Sequence, residues 1–141
     1  MPYLSAQTIF TRVVKHLRKQ GRKSELADGD VCAYRSPEGL KCALGCLIPS
    51  RFYDPKMERI AIGPFVKAHK NSKRDKFFNG ILKKSGLNTN SSRIVDLLMS
   101  LQGVHDQNFV NGWENGLREV ADTFGLVYKK AKKKKKKNKS S

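Results

Sequence analysis

The chain is short of acidic residues, and this shortage limits what it can bind. It has 12 Asp and Glu against 29 Lys and Arg among 141 residues, which gives a formal net charge of +17. A protein with such an excess of positive charge is suited to polyanions, nucleic acid first and an anionic membrane surface second. We therefore expect a polyanionic partner.

The chain also lacks the segments that secretion or membrane insertion requires. No apolar run approaches the ~18 residues of a membrane span, and nothing at the N-terminus resembles a signal peptide. The three cysteines are an odd number, which argues against a disulfide framework and indicates reduced thiols. We expect a protein that is neither secreted nor bound to a membrane.

Familiar catalytic motifs are missing as well. The sequence has no P-loop, no G-x-G-x-x-G, no G-x-S-x-G and no H-E-x-x-H, and plausible pairs of acids are scarce. The sequence therefore favours a protein that is not an enzyme, and it predicts no cofactor.

Residues 30–55, here termed the hub, are the part around which the chain is organised. They hold all three cysteines and three of the five prolines. Residues 31–35 are β-prone, the sequence S-P-E-G at 36–39 suits a turn, and residues 40–42 fit a returning strand. The hub therefore predicts a small β-hairpin, followed by a short helix at residues 43–48.

Apolar residues at helical spacing predict the remaining structure. The patterned segments are residues 9–17, 77–82, 94–104 and 113–124. Ser5 is a suitable N-cap for the first, and Gly21, Gly86 and Gly125 are suitable ends. The last two helices each need a partner for their apolar face, so we expect them to pack together. Residues 1–128 should form one compact, mainly helical α+β domain with four or five helices and the hairpin.

The tail, residues 129–141, is a low-complexity segment with nine lysines and no acid. It cannot bury apolar surface, so we predict that it is disordered. Lysines that neutralise phosphates release counterions and give affinity without base recognition. The alternative is a solubilising or targeting appendage. With a second basic stretch at 67–76, the predicted nucleic-acid-binding residues are Lys67, Lys70, Lys73, Arg74, Lys76, Lys129, Lys130, Lys132, Lys133, Lys134, Lys135, Lys136, Lys137 and Lys139.

The cysteines are candidate metal ligands. Cys32, Cys42 and Cys46, with His105 or His69 as the fourth ligand, would give zinc a thiolate and imidazole set. However, the spacing C-x9-C-x3-C lacks the usual C-x2-C knuckle, and the neighbouring residues are apolar. The sequence therefore favours buried cysteines that act as small hydrophobes, and we predict no metal.

A Cys/His pair is the catalytic candidate. Cys42 or Cys46 would be the nucleophile, His105 the base and Asp106 the group that orients the base. His105 and Asp106 follow a core helix, so they equally suit a C-terminal cap. We predict no catalytic residue and keep a small Cys/His-dependent enzyme as an alternative.

Three segments carry a resemblance to a known family. The run CAYRSPEGLKCALGCLIPSRFYDPKME, then LLMSLQGVHDQN, then a Trp followed by LREVADTFGL, resembles small proteins encoded by tailed phages and by large DNA viruses of algae. The likeness spans roughly residues 9–126, without the basic insert near 67–76. It implies a viral origin and a single compact domain, and it assigns no activity. The lysine tail departs from the usual family pattern, which favours polyanion binding in this chain.

Charge and resemblance together predict a non-enzymatic viral protein that binds DNA or RNA by charge, without strong sequence specificity. It would lie in the virion interior, for example on the genome, or in the host cytoplasm or nucleus, where other virion or host proteins are further partners. The alternatives are the small enzyme above and an inhibitor or adaptor that binds a host protein through the hub. Binding by charge should survive loss of the cysteines and vanish with the tail.

Overall fold

The structure is a computed structural model that describes residues 3–26, 32–60, 62, 73–107 and 109–131, and its regular structure is helical. In that part of the chain the α-helices are α1 (Ala6–Gln20), α2 (Lys73–Lys84), α3 (Ser92–Gln107) and α4 (Trp113–Phe124). Single turns of 3-10 helix lie at Gly45–Leu47, Pro55–Met57 and Val110–Gly112. No helix of this part is both long and apolar enough to cross a membrane.

The helix ends follow the capping residues of the sequence. The backbone N–H of Thr8 donates to Ser5 Oγ at 3.1 Å, which confirms the start of α1. The residue after α1 is Gly21 in the left-handed conformation, with φ of 62°. The left-handed glycines Gly86 and Gly125 likewise follow α2 and α4. These local signals therefore set the helix bounds.

One hydrophobic core joins the helices to the hub. The α1 stripe, the apolar residues of the hub and those of the last two helices belong to a single buried cluster. As predicted, α3 and α4 pack on each other, and α1 contacts both α3 and the turn at Gly45–Leu47. The largest fully buried side chains include Phe10, Phe78, Leu44, Met57 and Leu101. The hub thus contributes core residues of its own.

The predicted β-hairpin is wrong. The turn itself forms, since the N–H of Ser36 donates to the Leu40 carbonyl at 2.8 Å and Gly39 has φ of 86°. Beyond it, the two arms of the predicted hairpin pair only through one isolated bridge, between Arg35 and Lys41, and a second isolated bridge joins Cys32 to Glu25 outside the hairpin. The described residues contain no β-strand. In this part the fold is helical with an irregular hub, and it is not α+β.

Side chains from other elements take the backbone groups that a hairpin would pair. The Glu58 carboxylate accepts from the N–H groups of Tyr34 and Arg35, at 2.9 and 3.0 Å. On the other arm, the Gln20 amide accepts from the N–H of Lys41 at 2.9 Å and donates to its carbonyl at 2.8 Å. These bonds engage four backbone groups of the two arms, and a strand ladder cannot then use them.

Gly45 lies where the hub passes close to its own backbone. The short helix predicted for residues 43–48 forms only as the 3-10 turn at Gly45–Leu47. A Cβ atom at Gly45 would lie 2.1 Å from the carbonyl oxygen of Tyr34. This contact is too short for any carbon atom, so space rather than backbone torsion requires a glycine here.

Gly45→Ala should therefore lower the free energy of unfolding by about 1–3 kcal/mol or more, because the backbone at Tyr34 has to move. Gly80→Ala is the matched control. Gly80 lies inside α2 with nothing within 4 Å of an added Cβ, so alanine should stabilise the helix by about 0.5–1 kcal/mol. Urea denaturation of both variants measures the two effects, and a neutral Gly45→Ala substitution would contradict this account of the hub.

Candidate functional site

The structure brings Cys32, His105 and Asp106 together at the end of α3. Their ligand atoms all lie within 4.8 Å of one another. Cys32 Sγ is 3.9 Å from His105 Nδ1, which is 2.6 Å from Asp106 Oδ1. The sequence had paired His105 with Cys42 or Cys46, but Cys46 Sγ instead donates to the carbonyl of Ala43 at 3.0 Å. The thiol nearest the imidazole is that of Cys32.

Hydrogen bonds fix the tautomer of the neutral His105 ring. Its Nε2 accepts from the backbone N–H of Ser24 at 3.0 Å. The proton of the neutral ring therefore lies on Nδ1, from which it is donated to Asp106. The ring is 1% exposed and stacks on Trp113 with 5.6 Å between centroids. Both nitrogens are thus engaged inside the core.

Gln102 connects this cluster to the hub backbone. Its Nε2 donates to Cys32 Sγ and to Asp106 Oδ1, at 2.9 Å each. Its Oε1 accepts from the backbone N–H of Leu44 at 2.9 Å. Gln102 and Glu58 are not among the site residues that the sequence predicts. Gln102 does carry a signal in the sequence, because this polar residue directly follows Leu101 on the buried side of α3.

This geometry does not suit a Cys/His nucleophile. A catalytic imidazole needs a free nitrogen to take the thiol proton, and both nitrogens of His105 already have hydrogen-bond partners. A hydrogen bond with Cys42, together with burial, raises the pKa of the Cys32 thiol. Burial raises the pKa of Cys46 to about 12. Cys32 and Cys46 are therefore neutral thiols at neutral pH, and neutral thiols are poor nucleophiles.

The same hydrogen bonds oppose a zinc site. A zinc ion on Nδ1 would move the ring proton to Nε2, where it would face the N–H of Ser24, donor against donor. The 2.6 Å between His105 Nδ1 and Asp106 Oδ1 is also shorter than the roughly 3.3 Å between two such ligands on one tetrahedral zinc. His69, the alternative ligand, lies outside the described residues. The cluster fits a buried hydrogen-bond network that ties the hub to α3.

Thiol alkylation tests this conclusion. Under native conditions at pH 8, iodoacetamide should modify the cysteines far more slowly than it modifies free glutathione. Only thiolates react, Cys32 and Cys46 are held as thiols, and Cys42 is buried. After unfolding in guanidinium chloride, all three cysteines should react at the rate of the free thiol. Mass spectrometry counts the adducts over time. A cysteine that reacts faster than glutathione in the folded protein would restore the nucleophile hypothesis.

Exposed basic side chains line one face of α1. Arg12, Lys15 and Lys19 are exposed and fall three and four residues apart on this helix. Among the predicted nucleic-acid-binding residues, Lys73, Arg74 and Lys76 lie exposed at the start of α2, and Lys129 and Lys130 are exposed after α4. The other predicted residues lie outside the described ranges: Lys67, Lys70, Lys132, Lys133, Lys134, Lys135, Lys136, Lys137 and Lys139. Of the tail that is predicted to be disordered, residues 129–141, only residues 129–131 are described.

The segment that joins α4 to the tail docks along α1. The side-chain amide of Gln7 accepts from the N–H of Val127 at 2.8 Å and donates to its carbonyl at 3.1 Å. Further along the helix, the Arg18 guanidinium donates to the carbonyl of Lys129 at 2.7 Å. We term residues 127–131 the tail root. Contacts with the domain therefore continue past residue 128, the predicted domain boundary.

An ion pair anchors the tail root. Glu114 accepts from Nε and Nη2 of Arg18, at 2.8 Å each, and from the hydroxyl of Tyr128 at 2.6 Å. The hydrogen bond from Arg18 lowers the pKa of Glu114, so this carboxylate stays charged. Lys15, on α1, and Lys129, in the tail root, line one cleft of about 490 Å³ together with Arg18. The tail thus begins at a fixed place beside the basic face of α1.

Comparisons of the chain with protein-family models, with curated proteins and with solved structures found no match. The function therefore has to be argued from the residues and their geometry.

Proposed function

We propose that the protein is a non-enzymatic, nucleic-acid-associated protein of viral origin that binds DNA or RNA by charge, without strong sequence preference. The supporting observation is the tail root, which shares a cleft with Lys15 of the basic face of α1. One nucleic acid can then contact the α1 face and the tail together. The viral origin is supported by the resemblance of the hub and of the later segments, and by nothing in the comparisons.

The tail supplies most of the available charge at this place. Residues 132–141 contain seven lysines and no acid. Each phosphate that a lysine neutralises releases a condensed counterion, so affinity falls steeply with salt. Lysines contribute this term as point charges and read no base. The mode of binding therefore predicts strong dependence on salt and weak dependence on sequence.

The proposal places the protein in the virion interior or in the host cytoplasm or nucleus. Its partner there is the viral genome or a host RNA, with other virion or host proteins as further partners. Either nucleic acid presents the phosphates that the α1 face and the tail require. Binding to both is compatible with recognition by charge.

Truncation after Ala131 tests the proposal. The tail root and its bonds to Gln7 and Arg18 remain in this variant, so the melting temperature should not change. Affinity for random-sequence DNA and RNA should fall strongly. If about six lysines of the full-length protein contact duplex phosphates, log K should fall with log[salt] at a slope of about −5. Truncation should flatten this slope markedly.

Matched variants separate charge from sequence. Replacing the seven lysines of residues 132–141 with arginine keeps the charge and should keep the salt slope, whereas replacing them with glutamine should reproduce the effect of the truncation.

A second pair of variants tests the α1 face. The double variant Lys15→Gln, Lys19→Gln should weaken binding more than Lys83→Gln, Lys84→Gln, which removes equal charge from the end of α2. Equal affinity and equal salt slope for full-length and truncated protein would contradict the proposal.

A further inference from the structure

Phe109 is the most exposed large hydrophobic side chain among the described residues. It exposes 83% of its surface, and the neighbouring Val110 exposes 40%. Both lie in the connection between α3 and α4, where Phe109 directly precedes the turn Val110–Gly112 and Val110 is its first residue. An aromatic ring in this position presents a face to solvent, and the adjacent exposed valine makes it part of a patch rather than an isolated residue.

A cation is fixed beside this ring. Lys23 Nζ lies 5.9 Å from the centroid of the Phe109 ring. It donates to the carbonyl oxygen of Asp106 at 3.1 Å, near the C-terminal end of α3. An ammonium group has three N–H donors, and this bond uses one of them. Lys23 thus holds a positive charge next to an open aromatic face.

Two clefts meet at Val110, and both are lined by Gly21. One, of about 680 Å³, has Arg22, Lys23, Glu25 and Glu38 among its lining residues. The other, of about 350 Å³, is lined by Arg18, Glu114 and Ala131, among others. Ala131 is the end of the tail root, so the lysine tail leaves the domain next to this patch.

The charges around Phe109 point to the part of a nucleic acid that fits there. Arg22 pairs with Glu38 at 3.3 Å, whereas Lys23 donates to a backbone carbonyl and keeps its positive charge beside the ring. An aromatic face binds an uncharged base. A phosphate of the same strand can then contact Lys23.

We propose that Phe109 is a stacking platform for an unpaired base of single-stranded DNA or RNA, with a phosphate of that strand held by Lys23. Bases in a duplex are stacked on one another and offer no free face, so the platform selects single strands. This inference rests on the proposed function and names its substrate class.

Fluorescence anisotropy titrations with three ligands of equal length test the inference: oligo-dT, an abasic oligonucleotide with the same phosphates, and a DNA duplex. Phe109→Ala should weaken binding of oligo-dT by about tenfold, within the range for one stacked base. It should leave the affinities for the abasic strand and for the duplex unchanged. Phe109→Trp should bind oligo-dT at least as well as the unmodified protein.

Tyr3→Ala is the matched control, because Tyr3 is another exposed aromatic residue, at 44%, and lies in the segment before α1. It should change none of the three affinities. Equal weakening of all three ligands by Phe109→Ala, or no weakening of oligo-dT, would overturn the stacking platform. If truncation after Ala131 still weakened binding in that case, the proposed function would stand without it. If the full-length protein bound no nucleic acid at all, the proposed function and this inference would fall together.

Discussion

The buried backbone of the hub has to be hydrogen-bonded without a sheet, and the rest of the structure depends on how this is done. Side chains of Gln20, Glu58 and Gln102 bind backbone groups on three sides of the hub. Ser24 adds a fourth contact, because its hydroxyl donates to the carbonyl of Ala33 at 2.7 Å. A buried polar group that loses its partner destabilises a protein by about 1–3 kcal/mol. Gln20 and Gln102 therefore hold the hub to α1 and α3, and Ser24 and Glu58 hold it to the segments on either side.

The sequence predicts the parts of the fold that local signals determine. The α1 bounds follow from Ser5 and Gly21, and the pairing of α3 with α4 follows from their apolar stripes. The hairpin was predicted wrongly because its competitors are distant in sequence, as with Gln20 and Lys41 or Glu58 and Tyr34. A turn sequence predicts the conformation of the turn, but it does not predict which distant side chains bind the backbone on either side of it.

The candidate sites likewise depend partly on local sequence, which can be predicted, and partly on contacts between distant residues, which cannot. That Cys32, rather than Cys42 or Cys46, lies beside His105 depends on a contact across 73 residues, which spacing alone does not determine. The resulting network has no free imidazole nitrogen, so we assign it a structural role. The excess of lysine was visible in composition, but the bond from Arg18 to Lys129 that fixes the tail root was not. The exposure of Phe109 likewise required the structure.

Amide hydrogen exchange of the free and nucleic-acid-bound protein tests the central claim that the hub is a structural core held by side chains. The amides of Tyr34, Arg35, Lys41 and Leu44, which donate to side chains rather than to a ladder, should exchange as slowly as those in the middle of α3, with or without an oligonucleotide. Exchange at the rate of an open loop would show that these bonds do not hold the hub. Protection that appears only with the oligonucleotide would make the hub a binding surface, contrary to this account.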